Sequence, residues 1–328
     1  MIIDRYISYI RDIRRYSPRT VQLYGEVVRR YATVAFGTDD VSDSQLLESL
    51  NPSEIRSYEV RLLDEEGMVP KTVRLHLSAL SGFCRFLVKE GLLESNPVRL
   101  VPKPKVEKRL PHFFRKDALD TYLKNTEIYS SQEYLDGFLQ GPHTENGKKF
   151  YDERLARLII SMLYSTGLRR SELISLDVKD VDFGRKVVKV VGKGNKMREI
   201  PMIVSLSEEI LLYLKAVEAL MGGERSLKSP LLVTYSGRRL YPAYVDRTVK
   251  RELGDVEGIT GRRSPHVLRH SLATELMNEE ADLNSIKELL GHSSLATTQV
   301  YTHSSFARLK NIYERAHPRA KNGGKNGD

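Results

Sequence analysis

The chain has 328 residues, of which 40% are hydrophobic, which is enough to bury a core in each of two domains and excludes a disordered protein. Its 52 basic and 43 acidic residues give a net charge of +9, which favours a polyanionic partner. The single cysteine, Cys84, excludes a disulfide framework and a zinc site built from several thiolates. The sequence has neither a signal-peptide pattern at its N-terminus nor a run of the ~18 apolar residues that a membrane span needs, so we expect a cytoplasmic protein.

The first hundred residues predict a domain of short amphipathic helices. Ser17-Pro18 supplies the cap and the first turn of one helix, and Asn51-Pro52-Ser53 opens a second. A third helix is predicted from Thr72 to Gly91, with Cys84 as a small buried residue on its apolar face. That face consists of Val73, Leu77, Leu80, Phe83 and Leu87, which recur at helical spacing. We therefore expect residues 1–96 to form an all-helical domain.

A proline-rich segment separates this domain from the rest of the chain. Three prolines between Asn96 and Lys105 disfavour both helix and central strand, so residues 97–111 are expected to be a linker, either a basic strap beside a bound duplex or a plain exposed connection. Residues 1–105 hold 16 Lys and Arg against 14 Asp and Glu. Most of the positive surplus therefore lies beyond the linker, where we expect most phosphate contacts.

The second part of the chain is also predicted to be mostly helical. Helices are expected near residues 117–129 and 152–165, with a flexible polar excursion at 130–150. The chain is again mostly helical from Glu208 onward, apart from a β-like run at 231–235.

A β-hairpin interrupts these helices. Two short β-type runs, Val187–Val191 and Met197–Pro201, flank a glycine-containing turn with Lys193 at its tip. The predicted fold class is therefore mainly α with a small β-sheet. The second domain is expected to span residues 112–320, and the Gly-, Asn- and Lys-rich tail at 321–328 is expected to be disordered.

Arg169 is the first candidate for binding an anion. A glycine break at Gly167 precedes a new helix, so Arg169 is predicted at a helix start, where backbone N–H groups favour anions. Glu172 follows three positions later and is placed to brace the guanidinium. The alternative for this pair is an ordinary surface ion pair.

Ser264-Pro265 opens another predicted helix, with the serine as its cap and the proline in its first turn. His266 and Arg269 share a face near the positive end of this helix, a pattern suited to gripping one phosphate. His270 lies close to that face, but the glutamate of a zinc-protease helix and a third ligand are missing, so we expect His270 to be packed or hydrogen-bonded and no metal to be bound.

Tyr301 is the candidate nucleophile. Among 17 tyrosines it stands out because small polar residues surround it nine positions after the Gly291-His292 pair, although burial is the ordinary role of a tyrosine. A phenol with an ordinary pKa near 10 needs nearby cations or a base to lose its proton, and the arginines and histidines could supply these. Lys193 could protonate the leaving oxygen, and a solvated turn lysine is the alternative.

Four motifs, in this order, resemble those of the tyrosine recombinase (phage-integrase-like) family and most closely its bacterial Xer branch. They are Thr166-Gly167-Leu168-Arg169 with Ser171-Glu172-Leu173, then Gly192-Lys193-Gly194-Asn195-Lys196, then Ser264-Pro265-His266-Val267-Leu268-Arg269-His270, and last Leu290-Gly291-His292-Ser293 with Thr297-Thr298 and Tyr301-Thr302-His303. The resemblance implies a helical, SAM-like core-binding domain followed by a catalytic domain. It covers nearly the whole chain.

The resemblance also implies roles for individual residues. Arg169 and Arg269 would clamp the scissile phosphate, and Lys193 would act as the general acid. His266 and His292 would assist with hydrogen bonding and proton transfer. Tyr301 would become covalently joined to a 3′ phosphate, and because that bond conserves energy, neither ATP nor a metal or other cofactor would be required.

Double-stranded DNA and a tetramer on two duplexes, with itself or with a paralogous recombinase, are the partners that the resemblance implies. A septal DNA translocase is a further possible partner. The absence of an additional N-terminal arm-binding domain favours chromosome or plasmid dimer resolution over integration or excision of a mobile element. A type IB topoisomerase-like enzyme and a DNA-binding module that no longer cuts are the competing hypotheses.

Overall fold

The structure, a computed structural model, describes residues 1–38, 40–106, 112–192, 197–279, 282–291 and Tyr313. The chain divides into two compact units, Met1–Arg109 and Leu110–Asp328. Among the described residues, no helix is both long and apolar enough to cross a membrane. The predicted tail at 321–328 lies outside the described residues.

Helices build the described part of the first unit. They are α1 (Ile2–Ser8), α2 (Pro18–Phe36), α3 (Asp43–Ser49), α4 (Pro52–Val60) and α5 (Pro70–Lys89), with single π-helical turns after α1 and α4. The predicted starts of α2 and α4 are confirmed: Ser17 accepts a hydrogen bond from the Thr20 N–H, and Asn51 accepts one from the Glu54 N–H. Helix α5 begins at Pro70, two residues before the predicted start, because proline is tolerated in a first helical turn.

The long helix α5 forms the centre of the first unit's core. Its residues Leu77, Leu80 and Phe83 are fully buried, together with Tyr31 of α2. Cys84 is also fully buried, and burial raises the pKa of its thiol to about 12. The prediction of a small buried hydrophobe rather than a reactive thiol is therefore confirmed.

The first residues of the predicted linker belong to the first unit. Pro97–Leu100 forms a 3₁₀ turn, capped by the Asn96 side chain, and Val98 and Val101 are buried in the first unit's core. The prediction that these prolines disfavour helix is wrong for this short turn, because Pro97 occupies a first position, where its missing N–H costs nothing. Residues 107–111 of the predicted linker lie outside the described residues.

The described part of the second unit contains more helices and one sheet. The helices are α6 (Lys116–Asn125), α7 (Gln132–Leu139), α8 (Glu145–Thr166), α9 (Arg170–Ser175), α10 (Val204–Met221), α11 (Pro242–Glu252), α12 (Pro265–Asn278) and α13 (Leu283–Leu290). Helix α8 is buried along most of its length, and helices α7, α10, α11 and α12 pack against it. This central helix carries the chain to Arg169.

The predicted hairpin is confirmed and forms most of the sheet. Strands β1 (Val181–Asp182), β2 (Val187–Val191) and β3 (Met197–Pro201) pair antiparallel in that order. Val188 pairs with Ile200 and Val190 with Arg198, and all four side chains are buried. The polar residue Arg198 thus lies on the core face of β3.

The expected flexible excursion at 130–150 is wrong. This segment contains α7, capped by Ser131, and α8 already begins at Glu145. Leu135 and Phe138 of α7 are buried, and the Phe138 ring packs 6.1 Å from that of Tyr151 on α8. Two apolar residues three positions apart are therefore enough to hold the segment against the core.

The β-like run at 231–235 forms only an isolated bridge, between Val233 and Arg239. Two tyrosine hydroxyls occupy the backbone groups that a partner strand would use. The Val233 N–H donates to the Tyr213 hydroxyl at 2.9 Å, and the Val233 carbonyl accepts from the Tyr151 hydroxyl at 2.9 Å. At Val233, side-chain hydroxyls thus take the place of the hydrogen bonds that a partner strand would form.

Candidate active site

Arg169 lies where α8 ends and α9 begins. Gly167 ends α8 with a positive φ of 62°, and Arg169 takes the extended conformation of a helix cap. Its backbone N–H donates to Glu172 at 2.8 Å, and its guanidinium donates to the same carboxylate at 2.7 Å. The predicted brace between Glu172 and Arg169 is therefore present, and Arg169 remains 37% exposed in its side chain.

Arg269 lies in the first turns of α12, and its side chain reaches the end of α8 next to Arg169. It is 6% exposed, and its guanidinium donates to the backbone carbonyls of Gly167 and Leu290. Burial, together with the nearby charge of Arg169, lowers the pKa of Arg269 to about 10. Arg269 therefore remains a cation at neutral pH.

Three guanidinium groups converge on the end of α13, each donating to a different one of its last carbonyls. The pairs are Arg198 Nε to Leu289 O at 3.2 Å, Arg269 to Leu290 O, and Arg169 Nη2 to Gly291 O at 2.9 Å. The last carbonyls of a helix lack partners within the helix and carry its partial negative charge, so cations stabilise this end. The contacts fix the end of α13 directly before His292 in the sequence.

Arg198 was not predicted as a site residue. Its guanidinium donates to both oxygens of Glu172, at 2.8 and 2.9 Å. The alternation of side chains along β3 could have predicted that Arg198 is buried, because it places Arg198 on the same face of the strand as the apolar Ile200. A lone arginine on an apolar strand face requires a buried anionic partner.

Glu172 is ionised despite its burial. Burial alone would raise the pKa of this carboxyl group, but hydrogen bonds from Arg198 and from the Arg169 backbone and side chain outweigh that effect and hold it below its ordinary value. Two arginines, Arg169 and Arg198, thus contact this one carboxylate and Arg269 lies nearby, which leaves a surplus of positive charge. Each guanidinium has five N–H groups, and the described contacts of Arg169 and Arg269 each use only two nitrogen atoms.

His266 lies in the first turn of α12 and is exposed. Its Nε2 is 3.1 Å from Nε2 of His270, so one of the two rings donates a hydrogen bond to the other. The expectation that His270 is hydrogen-bonded is therefore confirmed. Ser264 takes the predicted cap position of α12, but its side chain forms no capping hydrogen bond.

Three of the predicted site residues, Lys193, His292 and Tyr301, lie outside the described residues. The structure thus brings together Arg169, Glu172 and Arg269. It places His266 three positions from Arg269 on the same helix.

No group of three or more His, Cys, Asp or Glu side chains suited to a metal ion occurs within the described ranges. The acidic residues near β1 instead shape a turn. Asp180 accepts a hydrogen bond from the Asp177 N–H at 2.8 Å, and Asp177 accepts one from Arg239 at 2.6 Å.

Comparison with known proteins agrees with this geometry. The sequence profile of the phage integrase family matches residues 144–308, and that of the phage integrase N-terminal SAM-like domain matches residues 3–91. The chain is 34% identical to the tyrosine recombinase XerC of Chlorobaculum parvum over 97% of this chain and 94% of that protein. It is also 34% identical to XerC of Haemophilus influenzae, over 97% of this chain and 98% of that protein.

A solved structure shares the fold. The crystal structure of the XerH site-specific recombinase, bound to its palindromic difH substrate, has a TM-score of 0.60 to this chain at 20% identity. The match covers 95% of this chain and 84% of that one. The predicted architecture of a helical N-terminal domain followed by a mainly helical second domain with a small sheet is confirmed.

Proposed function

The chain belongs to the phage integrase family as a Xer-type tyrosine recombinase, and we propose that it cleaves and rejoins DNA at specific sites through a 3′-phosphotyrosine at Tyr301. In this proposal Arg169 and Arg269 bind the two non-bridging oxygens of the scissile phosphate. Their charge stabilises the pentacoordinate transition state and favours the ionised form of the attacking phenol. Bond energy is kept in the phosphotyrosine, so the reaction needs neither ATP nor a metal.

The remaining roles concern protons and hydrogen bonds. Lys193 protonates the leaving 5′ oxygen as the general acid, and His266 and His292 donate hydrogen bonds to the phosphate or accept the tyrosine proton. Glu172 orients Arg169. His266 lies three positions before Arg269 on α12 and is exposed, so that a DNA backbone can reach it.

The observation that carries the proposal is the meeting of Arg169 and Arg269 at one helix end. The two residues are a hundred positions apart in sequence, Arg169 at the cap of α9 and Arg269 on α12, and they donate to the adjacent carbonyls of Gly291 and Leu290. A DNA-binding module without catalytic activity needs positive charge on its surface, but it does not need a nearly buried arginine at the same point. The pair therefore favours an enzyme over a passive binder.

We further propose that the protein resolves chromosome or plasmid dimers, since it is similar over almost its whole length to proteins named XerC. Its partners would be double-stranded DNA and three further recombinase protomers, identical or paralogous, with a septal DNA translocase as a possible activator. It would act in the cytoplasm. Integration or excision of a mobile element is the alternative role for the same chemistry.

Covalent trapping tests the chemistry. The full chain, the Tyr301→Phe variant and a Tyr129→Phe control are each incubated with nicked suicide duplexes that carry a site selected by binding. The wild type and the control should form a protein–DNA adduct that resists SDS, and Tyr301→Phe should form none. An adduct from Tyr301→Phe would disprove the assigned nucleophile, and relaxation of supercoiled plasmid by monomers without sequence preference would favour the topoisomerase-like alternative.

A further inference from the structure

Arg198 joins three elements of the second unit at one buried point. It projects from β3, forms a bidentate pair of hydrogen bonds with Glu172 of α9, and donates a third hydrogen bond from Nε to Leu289 O of α13. Its side chain is 7% exposed and that of Glu172 is 5% exposed. Arg198 is thus positioned to act on the site from within the protein, with little of its surface available to DNA.

Both oxygens of Glu172 are shared between Arg198 and Arg169. Oε1 accepts from the two guanidinium groups at 2.8 and 2.7 Å, and Oε2 accepts from the Arg198 guanidinium and the Arg169 backbone N–H at 2.9 and 2.8 Å. A planar guanidinium matches both oxygens of a carboxylate at once, whereas a lysine ammonium offers a single point of charge. Arg198 therefore fixes the plane of the carboxylate that in turn holds Arg169.

The hydrogen bond from Arg198 Nε to Leu289 O also holds the end of α13. Gly291 ends that helix with a φ of +63°, and a side chain there would lie 3.2 Å from the Arg198 guanidinium. A side chain at this position would therefore have to adopt a strained backbone conformation and displace the Arg198 guanidinium slightly. Since His292 follows Gly291 directly, Arg198 anchors the start of the segment that carries His292.

We propose that Arg198 is a positioning residue for DNA cleavage, which orients Arg169 through Glu172 and fixes the end of α13 before His292. The inference rests on the proposed function. It predicts a defect in the chemical step rather than in DNA binding, because Arg198 is buried and acts through other residues. Misplacing a catalytic group by about 1 Å can cost about a hundredfold in rate.

The first test measures single-turnover adduct formation at saturating suicide DNA with Arg198→Gln and Arg198→Lys. The matched control is Arg185→Gln. Arg185 lies between β1 and β2 and forms an equally bidentate pair with Glu199 of β3, at 2.7 Å for both bonds, but this pair is exposed. We expect about a 10- to 100-fold slower rate for the Arg198 variants, with DNA affinity close to that of the control. A rate equal to that of the control, or a loss restored by more DNA, would overturn the inference.

The pH dependence of the rate separates positioning from simple loss of structure. Without Arg198, Glu172 loses two of its hydrogen bonds and should become protonated at higher pH, which releases Arg169. The acid side of the rate profile should therefore move to higher pH in Arg198→Gln but not in the control. A uniformly lower rate with an unchanged profile would show that Arg198 has only a structural role.

A second measurement decides the inference even if the proposed function fails. If the wild type forms no adduct, the recombinase proposal is wrong, and Arg198 is then judged by stability. The Arg198→Gln variant should lose more stability near pH 7, where Glu172 is charged, than near pH 4, where protonation relieves a buried carboxylate that has lost its two hydrogen bonds from Arg198. An equal loss at both pH values would show that Arg198 does not hold the charge of Glu172.

Discussion

Glu275, a carboxyl group buried between α12 and α8, is expected to make the stability of the second unit depend on pH. It is 7% exposed, and the Tyr164 hydroxyl donates to its two oxygens at 2.8 and 2.7 Å. Burial is the largest cause that raises its pKa, to about 7, and the charges of Asp120 and Glu279 act in the same direction. The hydrogen bond from Tyr164 and the charge of Lys116 oppose the rise without cancelling it.

The size of this effect on stability follows from the difference between the pKa of Glu275 in the folded chain and its pKa in the unfolded chain. A carboxyl group with an ordinary pKa of 4.5 that titrates at about 7 in the folded chain binds more protons when folded. Its stabilising contribution is therefore fully present below about pH 4.5 and is lost as the pH rises through about 7. At about 1.4 kcal/mol per pH unit, the loss amounts to about 3 kcal/mol by pH 8.

The Glu275→Gln variant removes this titration, while its amide oxygen can still accept from Tyr164. Stability is measured on the full chain by brief proteolysis in increasing urea, with fragments of the second unit identified by mass. We expect the stability of the variant relative to the wild type to rise by about 3 kcal/mol between about pH 4.5 and 8. An exposed carboxylate variant, Glu257→Gln, controls for the substitution. A Glu275→Gln difference that is the same at both pH values would refute the argument.

Two further predictions concern the helix end at the site and the binding of DNA. Gly167→Ala should cost about 1–3 kcal/mol for its positive φ, with a further loss because the new Cβ would lie 2.7 Å from Leu290 Cδ2. The control is Gly222→Ala, because Gly222 has a similar φ and open space around it among the described residues. In urea unfolding this variant should lose only the stability that the positive φ costs. If both variants lose the same stability, Leu290 moves aside freely and the second part of the prediction is wrong. DNA affinity should fall steeply as salt increases from low to moderate concentration, and a flat response in a filter-binding series would contradict phosphate contacts.

Local signals in the sequence predicted the elements that depend on neighbouring residues. The starts of α2 and α4 follow from a capping side chain and a proline within a few positions. The β2–β3 hairpin follows from two β-type runs around a glycine-containing turn, and the Arg169–Glu172 contact follows from a spacing of three. Each of these signals lies within a few residues of the feature that it predicts.

The features that sequence reasoning missed depend on residues far apart in the chain. The β-like run at 231–235 pairs with no long strand. The tyrosine hydroxyls of α8 and α10 hydrogen-bond instead to the backbone N–H and carbonyl of Val233. Helix α7 is held by packing against α8, so the polar composition of residues 130–150 gave a misleading prediction. Arg198 is buried because Glu172 is close to it in space, although 26 positions separate them in sequence.

The way in which the arginines are held explains how a cluster of like charges can exist before any phosphate is bound. Arg169 and Arg198 share the carboxylate of Glu172, while Arg269 depends on two backbone carbonyls. Carbonyl oxygens stabilise a guanidinium without cancelling its charge, so the cluster keeps a net positive charge in a partly buried place, where electrostatic attraction is screened less than in water. A phosphate can therefore bind to N–H groups already held in position, and little of its binding energy is needed to order them.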